Sequence, residues 1–158
     1  MKTEELISLL QKRHQTISTA ESCTGGGVGH ALTAVSGSSA VYAGGVISYT
    51  NEVKERVLHV PAETLDLHGA VSSQTAKAMA EGVRSLLQTD FGVSVTGLAG
   101  PNGDGSGKPV GLVYIGIACK DATSAHEFVF KGDRDAVRRQ AVDMAVELLL
   151  NIIKSAEP

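Results

Sequence analysis

The segment Thr19-Ala-Glu-Ser-Cys-Thr-Gly-Gly26 joins a short β-rich segment to the start of a helix. Residues 16–19, which lead into this segment, favour a strand, and apolar residues recur at helical spacing after the glycines. Ser22, Cys23 and Thr24 are therefore expected where a strand ends and a helix begins, which is where open α/β sheets bind ligands. The amides and the dipole of a helix start suit a phosphate or a developing oxyanion. The alternative is a structural role, with Ser22 or Thr24 as the helix cap.

The composition favours one compact domain, and we assign residues 1–158 to it. The net charge is −3 without a basic block and 4% of the residues are aromatic, which argues against a nucleic-acid partner. No run approaches the roughly 18 apolar residues of a membrane span, and the N-terminus lacks the apolar segment of a signal peptide. Cys23 and Cys119 have neither disulfide-framework nor metal-ligand spacing. We therefore expect a cytoplasmic protein without a membrane partner, a cofactor or a metal.

Hydrophobic periodicity predicts five strands and the helices between them. The expected strands are 16–21, 41–49, 91–95, 112–119 and 125–131, of which the last two form an antiparallel hairpin. The expected helices are 4–13, 25–35, 52–57, a short one from 61, 72–87 and 133–153. The expected first residues or caps of the later helices are Asn51, Ser72 or Ser73, and Asp133 or Asp135. This order predicts an α/β fold, a three-layer α/β/α sandwich with a mixed five-stranded sheet.

The last helix carries apolar residues on more than one stripe. They are Ala141, Val142, Ala145, Leu148, Leu149, Ile152 and Ile153. Either part of this surface forms the interface of a homodimer, or the helix presents a wide side to the core.

A second candidate segment is Ser48-Tyr-Thr-Asn-Glu-Val-Lys54, in which a strand end carrying Tyr49 leads into a helix carrying Lys54. A lysine acts as a general base only if burial or a neighbouring cation lowers its pKa. Serine–lysine pairs are a known form of nucleophile and base. The alternative is a solvated Lys54 paired with Glu55 or Asp121.

A third segment is the loop from Thr96 to Gly111, which contains six glycines. A loop of this length in a compact domain is usually functional or disordered. Its glycines allow backbone amides to approach a ligand closely, although it matches neither a Walker A loop nor a dinucleotide-binding fingerprint.

The fourth segment, Gly132-Asp-Arg-Asp-Ala-Val-Arg-Arg139, opens the last helix and carries three arginines. Two of them share a face and so could clamp a phosphate with paired hydrogen bonds. Support of the helix by pairing with Asp135 is an equally good interpretation of the same spacing.

Together these segments resemble the CinA C-terminal domain family. The matching words, in family order, are Thr-Ala-Glu-Ser-Cys-Thr-Gly-Gly at 19–26, Gly-Ser-Ser at 37–39, Ser-Tyr-Thr-Asn-Glu-Val-Lys at 48–54, His-Gly-Ala-Val-Ser at 68–72, Gly-Leu-Ala-Gly-Pro at 97–101, Lys-Pro-Val-Gly at 108–111 and Gly-Asp-Arg-Asp-Ala-Val-Arg at 132–138. The resemblance implies a three-layer α/β/α domain with a mixed five-stranded sheet.

The resemblance also implies an activity. Stand-alone members of the family include bacterial amidohydrolases that convert nicotinamide mononucleotide to nicotinate mononucleotide and ammonia, a step of pyridine nucleotide salvage. It implies no metal and no cofactor. Longer members add an N-terminal domain that resembles molybdopterin-binding proteins, and we expect this chain to lack the activity of that domain.

Chemistry and resemblance together suggest a mechanism. Ser22 attacks the amide carbonyl, and a neutral Lys54 takes the hydroxyl proton and later protonates ammonia. Tyr49 orients Lys54 or donates a hydrogen bond to the leaving amine. The turn amides stabilise the oxyanion by roughly 3 kcal/mol per donor. The expected substrate-binding residues are Cys23, Thr24, Gly25, Gly26, Thr96, Gly97, Ala99 and Gly100, with Arg138 on the 5′-phosphate and Arg139 as second choice.

Several alternatives stay open at this point. Cys23 rivals Ser22 because a thiol at a helix start is acidified and nucleophilic, although no histidine partner lies close in sequence; direct attack by water is the third option. A non-catalytic mononucleotide-binding regulator, a redox or interaction module using Cys23, and a hydrolase of another pyridine amide are the competing functions.

Overall fold

A five-stranded mixed sheet forms the middle layer of the molecule, as the computed structural model shows for residues 1–156. The strands are β1 (Ile17–Glu21), β2 (Tyr42–Ile47), β3 (Phe91–Gly97), β4 (Leu112–Ala118) and β5 (Thr123–Val129). Their order across the sheet is β2-β1-β3-β4-β5. β1 pairs in parallel with β2 and β3, whereas β4 runs antiparallel to both β3 and β5. The three parallel strands therefore end at one edge of the sheet.

Six helices cover the two faces of the sheet. They are α1 (Lys2–Arg13), α2 (Gly27–Thr33), α3 (Asn51–Leu58), α4 (Ala62–His68), α5 (Ser73–Leu87) and α6 (Arg134–Ser155). α5 lies across the sheet with α3 and α4 beside it, and α1, α2 and α6 pack together on the opposite face. The predicted α/β/α sandwich with a mixed sheet is confirmed.

The core lies on both faces of β1 and β3. All five residues of β1 are buried, and the stripe of α5 that includes Ala76, Met79 and Val83 is buried against the sheet. Gly92 allows this close approach, because a Cβ there would lie 2.2 Å from the carbonyl oxygen of Ala80 on α5. Tight packing of this kind fixes the strand ends, which is what positions the polar residues that follow them.

The capping residues confirm two predictions and correct one. Ser72 caps α5 by accepting from the amide of Thr75, and Asp133 caps α6 by accepting from the amide of Ala136. Asn51 does not cap α3; the hydroxyl of Thr50 accepts from the amide of Val53 instead, so Asn51 is the first helical residue.

Several predicted boundaries were wrong by a few residues. β2 ends at Ile47, because the next residues turn towards α3, and α2 ends at Thr33. β3 extends to Gly97 because it stays paired with β4 that far. β5 begins at Thr123 for the same reason. The last two residues of the predicted domain, 157 and 158, lie outside the described residues.

The apolar residues of the last helix mostly face the core. Ala141, Ala145, Leu149 and Ile153 are buried, and the remaining members of the predicted set are half-buried. None of the helices within residues 1–156 combines the length and apolar character that crossing a membrane requires.

Candidate active site

The polar residues that follow the three parallel strands meet at one cavity of about 260 Å³. Ser22 follows β1, Tyr49 and Lys54 follow β2, and Thr96 lies at the end of β3. The full lining is Ser22, Cys23, Tyr49, Lys54, Ala70, Val71, Thr96, Gly97, Leu98, Ala99, Gly100, Asn102, Asp104 and Arg134. The structure thus places the sequence-predicted Ser22, Cys23, Tyr49, Lys54, Thr96, Gly97, Ala99 and Gly100 around one space.

Ser22 and Lys54 are in direct contact at the base of this cavity. Lys54 Nζ lies 3.0 Å from Ser22 Oγ and also donates to the carbonyl oxygens of Ser48 at 2.7 Å and Tyr49 at 3.4 Å. Both side chains are buried, with 8% of Ser22 and 1% of Lys54 exposed. The interpretation of Lys54 as a solvated residue paired with Glu55 or Asp121 is therefore wrong.

Burial changes the acid–base chemistry of Lys54. Removal of the ammonium from water lowers its pKa from 10.5 to about 8. No carboxylate among the described residues forms an ion pair with it. With this pKa roughly a tenth of the amine is neutral at pH 7, and the neutral form is the one that can act as a general base.

The start of α2 is occupied by a side chain of the protein itself. The buried carboxylate of Glu21 accepts from Thr24 Oγ1 at 2.7 Å, from the amide of Val28 at 2.8 Å and from the amide of Gly29 at 3.0 Å. The amides of Val28 and Gly29 therefore donate to Glu21 and are not free to bind the phosphate or oxyanion that the sequence suggested. The residue at the N-cap position is Gly26, and neither Ser22 nor Thr24 caps the helix.

The turn after Ser22 offers fewer oxyanion donors than the sequence suggested. The amide of Ser22 donates to the carbonyl oxygen of Val95 at 2.9 Å, and the amide of Gly25 donates to the carbonyl oxygen of Ser22 at 3.1 Å. Within residues 1–156 the amides of Cys23 and Thr24 have no oxygen acceptor. Of these two residues, Cys23 lines the cavity. Its amide is the best-placed backbone donor of the turn.

The thiol of Cys23 has the wrong acid–base properties for the working nucleophile. Cys23 is 6% exposed, and burial raises its pKa to about 11. Its thiolate fraction at neutral pH is therefore very small, whereas a reactive cysteine needs a lowered pKa. The geometry favours Ser22 over Cys23 because only Ser22 is hydrogen bonded to the base.

Tyr49 and Arg134 form the outer wall of the cavity. The phenol of Tyr49 accepts from Arg134 Nη2 at 3.2 Å, and Arg134 Nη1 donates to the carbonyl oxygen of Gly100 at 2.7 Å. Tyr49 contacts Lys54 through its carbonyl oxygen; its ring is 60% exposed. Arg134 was not among the predicted site residues, although the predicted cap at Asp133 makes it the first residue of the helix.

The glycine-rich loop closes the cavity from the β3 side. Thr96 Oγ1 donates to the carbonyl oxygen of Ala70 at 2.8 Å, which ties the end of β3 to the residues before α5. Lys108 Nζ donates to the carbonyl oxygens of His68 at 2.8 Å and Val71 at 2.5 Å. These two contacts hold the base of the loop, while its tip is exposed.

Arg138 and Arg139 do not line this cavity. Arg138 Nε donates to the carbonyl oxygen of Cys23 at 3.0 Å, and its Nη2 donates to that of Thr24 at 3.3 Å. Both arginines line a separate cavity between α2 and α6, together with Thr24. Gly25 and Gly26 also lie outside the lining of the Ser22 cavity. Of the three arginines at the start of α6, Arg134 is the one that lines the Ser22 cavity.

The described residues contain no group of three histidine, cysteine, aspartate or glutamate side chains arranged to hold a metal ion.

Comparison with known proteins gives a consistent result across the whole chain. Residues 1–153 match the CinA C-terminal domain family. A CinA-like protein of Parasynechococcus marenigrum is 51% identical over 146 residues, which is 91% of this chain and 35% of that protein. The chain spans little more than a third of the length of the curated relatives it matches, 37% and 35% in two of them.

Solved structures show the same fold. A CinA superfamily protein from Klebsiella pneumoniae 700603 superposes with a TM-score of 0.96 at 35% identity, covering 98% of this chain and 97% of that one. The competence/damage inducible protein CihA from Agrobacterium tumefaciens gives a TM-score of 0.89 at 42% identity, covering 96% of each chain.

Proposed function

Because this chain belongs to the CinA C-terminal domain family, we propose that its cavity hydrolyses the carboxamide of nicotinamide mononucleotide, with Ser22 as the nucleophile and Lys54 as the base. The observation that carries the proposal is the 3.0 Å contact between Lys54 Nζ and Ser22 Oγ, together with the burial that lowers the pKa of Lys54. A lysine buried without a counter-ion costs stability. That cost favours a catalytic role over a purely structural one.

The three partners of Lys54 Nζ are compatible with the neutral amine as well as with the ammonium. The carbonyl oxygens of Ser48 and Tyr49 can only accept, so they take the two N–H groups of the amine. The ammonium donates to Ser22 Oγ. Once Lys54 is neutral, its lone pair faces that oxygen instead, and the hydroxyl of Ser22 can donate its proton to the base.

The reaction proceeds in two halves. Ser22 Oγ bonds to the carboxamide carbon as Lys54 takes its proton, and the tetrahedral intermediate collapses with cleavage of the C–N bond. Lys54 returns the proton to the departing nitrogen, so ammonia leaves and an ester remains on Ser22. Water, deprotonated by Lys54, then cleaves that ester to give the carboxylic acid and regenerate Ser22. The amide of Cys23 is the candidate donor to the oxyanion.

The outer wall supports a nucleotide substrate. Arg134 supplies a guanidinium at the rim of the Ser22 cavity, and its contacts with Gly100 and Tyr49 hold it there. A guanidinium pairs well with a phosphate. Arg134 therefore replaces Arg138 in the proposal as the residue that binds the 5′-phosphate.

The test is ammonia release from nicotinamide mononucleotide by the wild type, by Ser22→Ala and by Lys54→Met, with a chelator present. We expect both variants to lose on the order of 10³-fold or more in kcat while still binding substrate. Lys77→Met, an exposed lysine on α5, is the matched control and should retain full activity.

Other outcomes identify the alternatives. Activity that persists in Ser22→Ala shows that Cys23 or water attacks the amide. An inactive wild type that still binds the mononucleotide supports a non-catalytic regulator, and preferential cleavage of a different pyridine amide changes the substrate while keeping the mechanism.

A further inference from the structure

The other side of the turn that carries Ser22 lines a second cavity, of about 320 Å³, between α2 and α6. We call it the α2–α6 cavity. Its lining is Thr24, Gly27, His30, Ala31, Asp135, Arg138, Arg139, Val142 and Asp143. It shares no lining residue with the Ser22 cavity, and the proposed reaction uses none of these side chains.

The charged side chains that line this cavity form no ion pairs with one another. Arg138 and Arg139 stand at helical spacing from Asp135, and Arg139 stands four residues before Asp143, a spacing at which ion pairs commonly form. Even so, no ion pair within the described residues includes any of these four side chains. Two guanidinium groups and two carboxylates therefore surround a space of molecular size without neutralising one another.

Arg138 connects this cavity to the nucleophile. Its Nε and Nη2 donate to the carbonyl oxygens of Cys23 and Thr24, the two residues directly after Ser22. No partner within the described residues uses its Nη1. A guanidinium has five donors, so an anion can bind the free edge of Arg138 while the opposite edge keeps its hold on the turn.

We propose that the α2–α6 cavity binds a small phosphate ester that carries hydroxyl groups, and that its occupant stabilises the Ser22 turn through Arg138. Arg138 and Arg139 bind the phosphate, because paired guanidinium groups match its oxygens. Asp135 and Asp143, which are exposed and form no ion pair within the described residues, accept hydrogen bonds from the hydroxyls. The apolar side of the ligand lies on Ala31 and Val142.

Arg139 is the residue to remove in testing the site, because it makes no contact with the Ser22 turn. Its Nε donates only within its own helix, to the carbonyl oxygen of Asp135 at 3.4 Å. Lys120→Gln is the matched control, since it removes one positive charge from an exposed residue of the β4–β5 connection.

Ribose 5-phosphate is a suitable probe because it carries a phosphate and hydroxyls but no amide. It is titrated into the millimolar range against protein labelled at methyl groups and backbone amides, with no substrate present. We expect saturable NMR shifts of the Ala31 and Val142 methyls and, with the same Kd, of the Cys23 amide. In Arg139→Gln the Kd for all three signals should rise about tenfold or more, whereas Lys120→Gln should match the wild type.

Three results overturn the proposal. They are the absence of shifts at Ala31 and Val142, an unchanged Kd in Arg139→Gln, and shifts of these methyls that leave the Cys23 amide unmoved. The first of these results includes shifts confined to Val71 and Ala99, because those residues line the Ser22 cavity. The measurement needs no turnover, so it is independent of the proposed amidase activity.

Discussion

Lys54 lines the candidate active site, Lys108 lies in the glycine-rich loop beside it, and both donate to two backbone carbonyl oxygens. Lys54 is fully buried on α3 and has Ser22 Oγ as a third partner. Lys108 is half-buried in the glycine-rich loop, and its partners are the carbonyl oxygens of His68 and Val71. From this difference we expect Lys54, which is buried beside a hydroxyl, to act as a base, and Lys108, which has only carbonyl partners, to hold the loop in place.

The largest expected effect is that of Lys54→Arg on turnover. Arginine keeps the positive charge and can still donate to carbonyl oxygens, but it does not lose its proton in a protein. We expect kcat for nicotinamide mononucleotide to fall on the order of 10³-fold or more. An active Lys54→Arg enzyme would show that Lys54 acts by its charge and not as a base.

The next largest effect concerns stability at high pH. The pKa of Lys54 is about 8 in the folded protein and near 10.5 when the chain is unfolded. Between these values the unfolded state binds more protons, so stability rises with pH in that window. Wild type should gain up to about 3 kcal/mol relative to Lys54→Met between pH 8 and pH 10.5. Urea unfolding of both proteins across this range measures the difference, and parallel pH curves would contradict it.

The pH dependence of kcat/KM tests the same ionisation through catalysis. The base must be neutral, so below the lowered pKa of Lys54, about 8, kcat/KM should rise roughly tenfold per pH unit and then level off. Wild-type kcat/KM at pH 6 should be about 100-fold below its plateau. A profile that levels off near pH 6 would assign the limiting ionisation to another group.

Much of the fold and part of the site could be predicted from the sequence. The strands have clear periodicity, and parallel strands necessarily bring Ser22 and Thr96 to one edge of the sheet. Contact between Ser22 and Lys54 was predicted from the resemblance together with general chemistry. What local sequence could not show is which carboxylate or arginine reaches which cavity.

Glu21 and the arginines of α6 illustrate that limit. Glu21, at the end of β1, accepts hydrogen bonds from the amides at the start of α2. The sequence around Glu21 also fits an ordinary buried strand, so it does not reveal this contact. Arg138 lies one turn beyond Arg134, and that turn separates the two cavities. Which cavity Arg138 lines depends on how α6 packs against α2, and this tertiary packing is not visible in the local sequence.

The smallest expected effect is that of Lys108→Ala in the glycine-rich loop. The substitution removes the hydrogen bonds to His68 and Val71 that hold the base of the glycine-rich loop. We expect a loss of about 1–2 kcal/mol in stability, because hydrogen bonds from a charged group contribute modestly at a half-exposed position. The loop carries Asn102 and Asp104 of the cavity lining, so KM should rise several-fold while kcat changes little.

Steady-state kinetics and urea unfolding of Lys108→Ala distinguish a structural role of Lys108 from a role in proton transfer. Lys120→Ala is the exposed control. If Lys108 only holds the loop in place, the pH profile of kcat/KM keeps its wild-type shape, with lower values at every pH. A kcat loss comparable to that of Lys54→Arg would contradict the comparison, because it would place proton transfer on the loop. An unchanged profile with a raised KM would instead show that the two lysines have different roles. Lys54 would transfer the proton, and Lys108 would hold the loop that contacts the substrate.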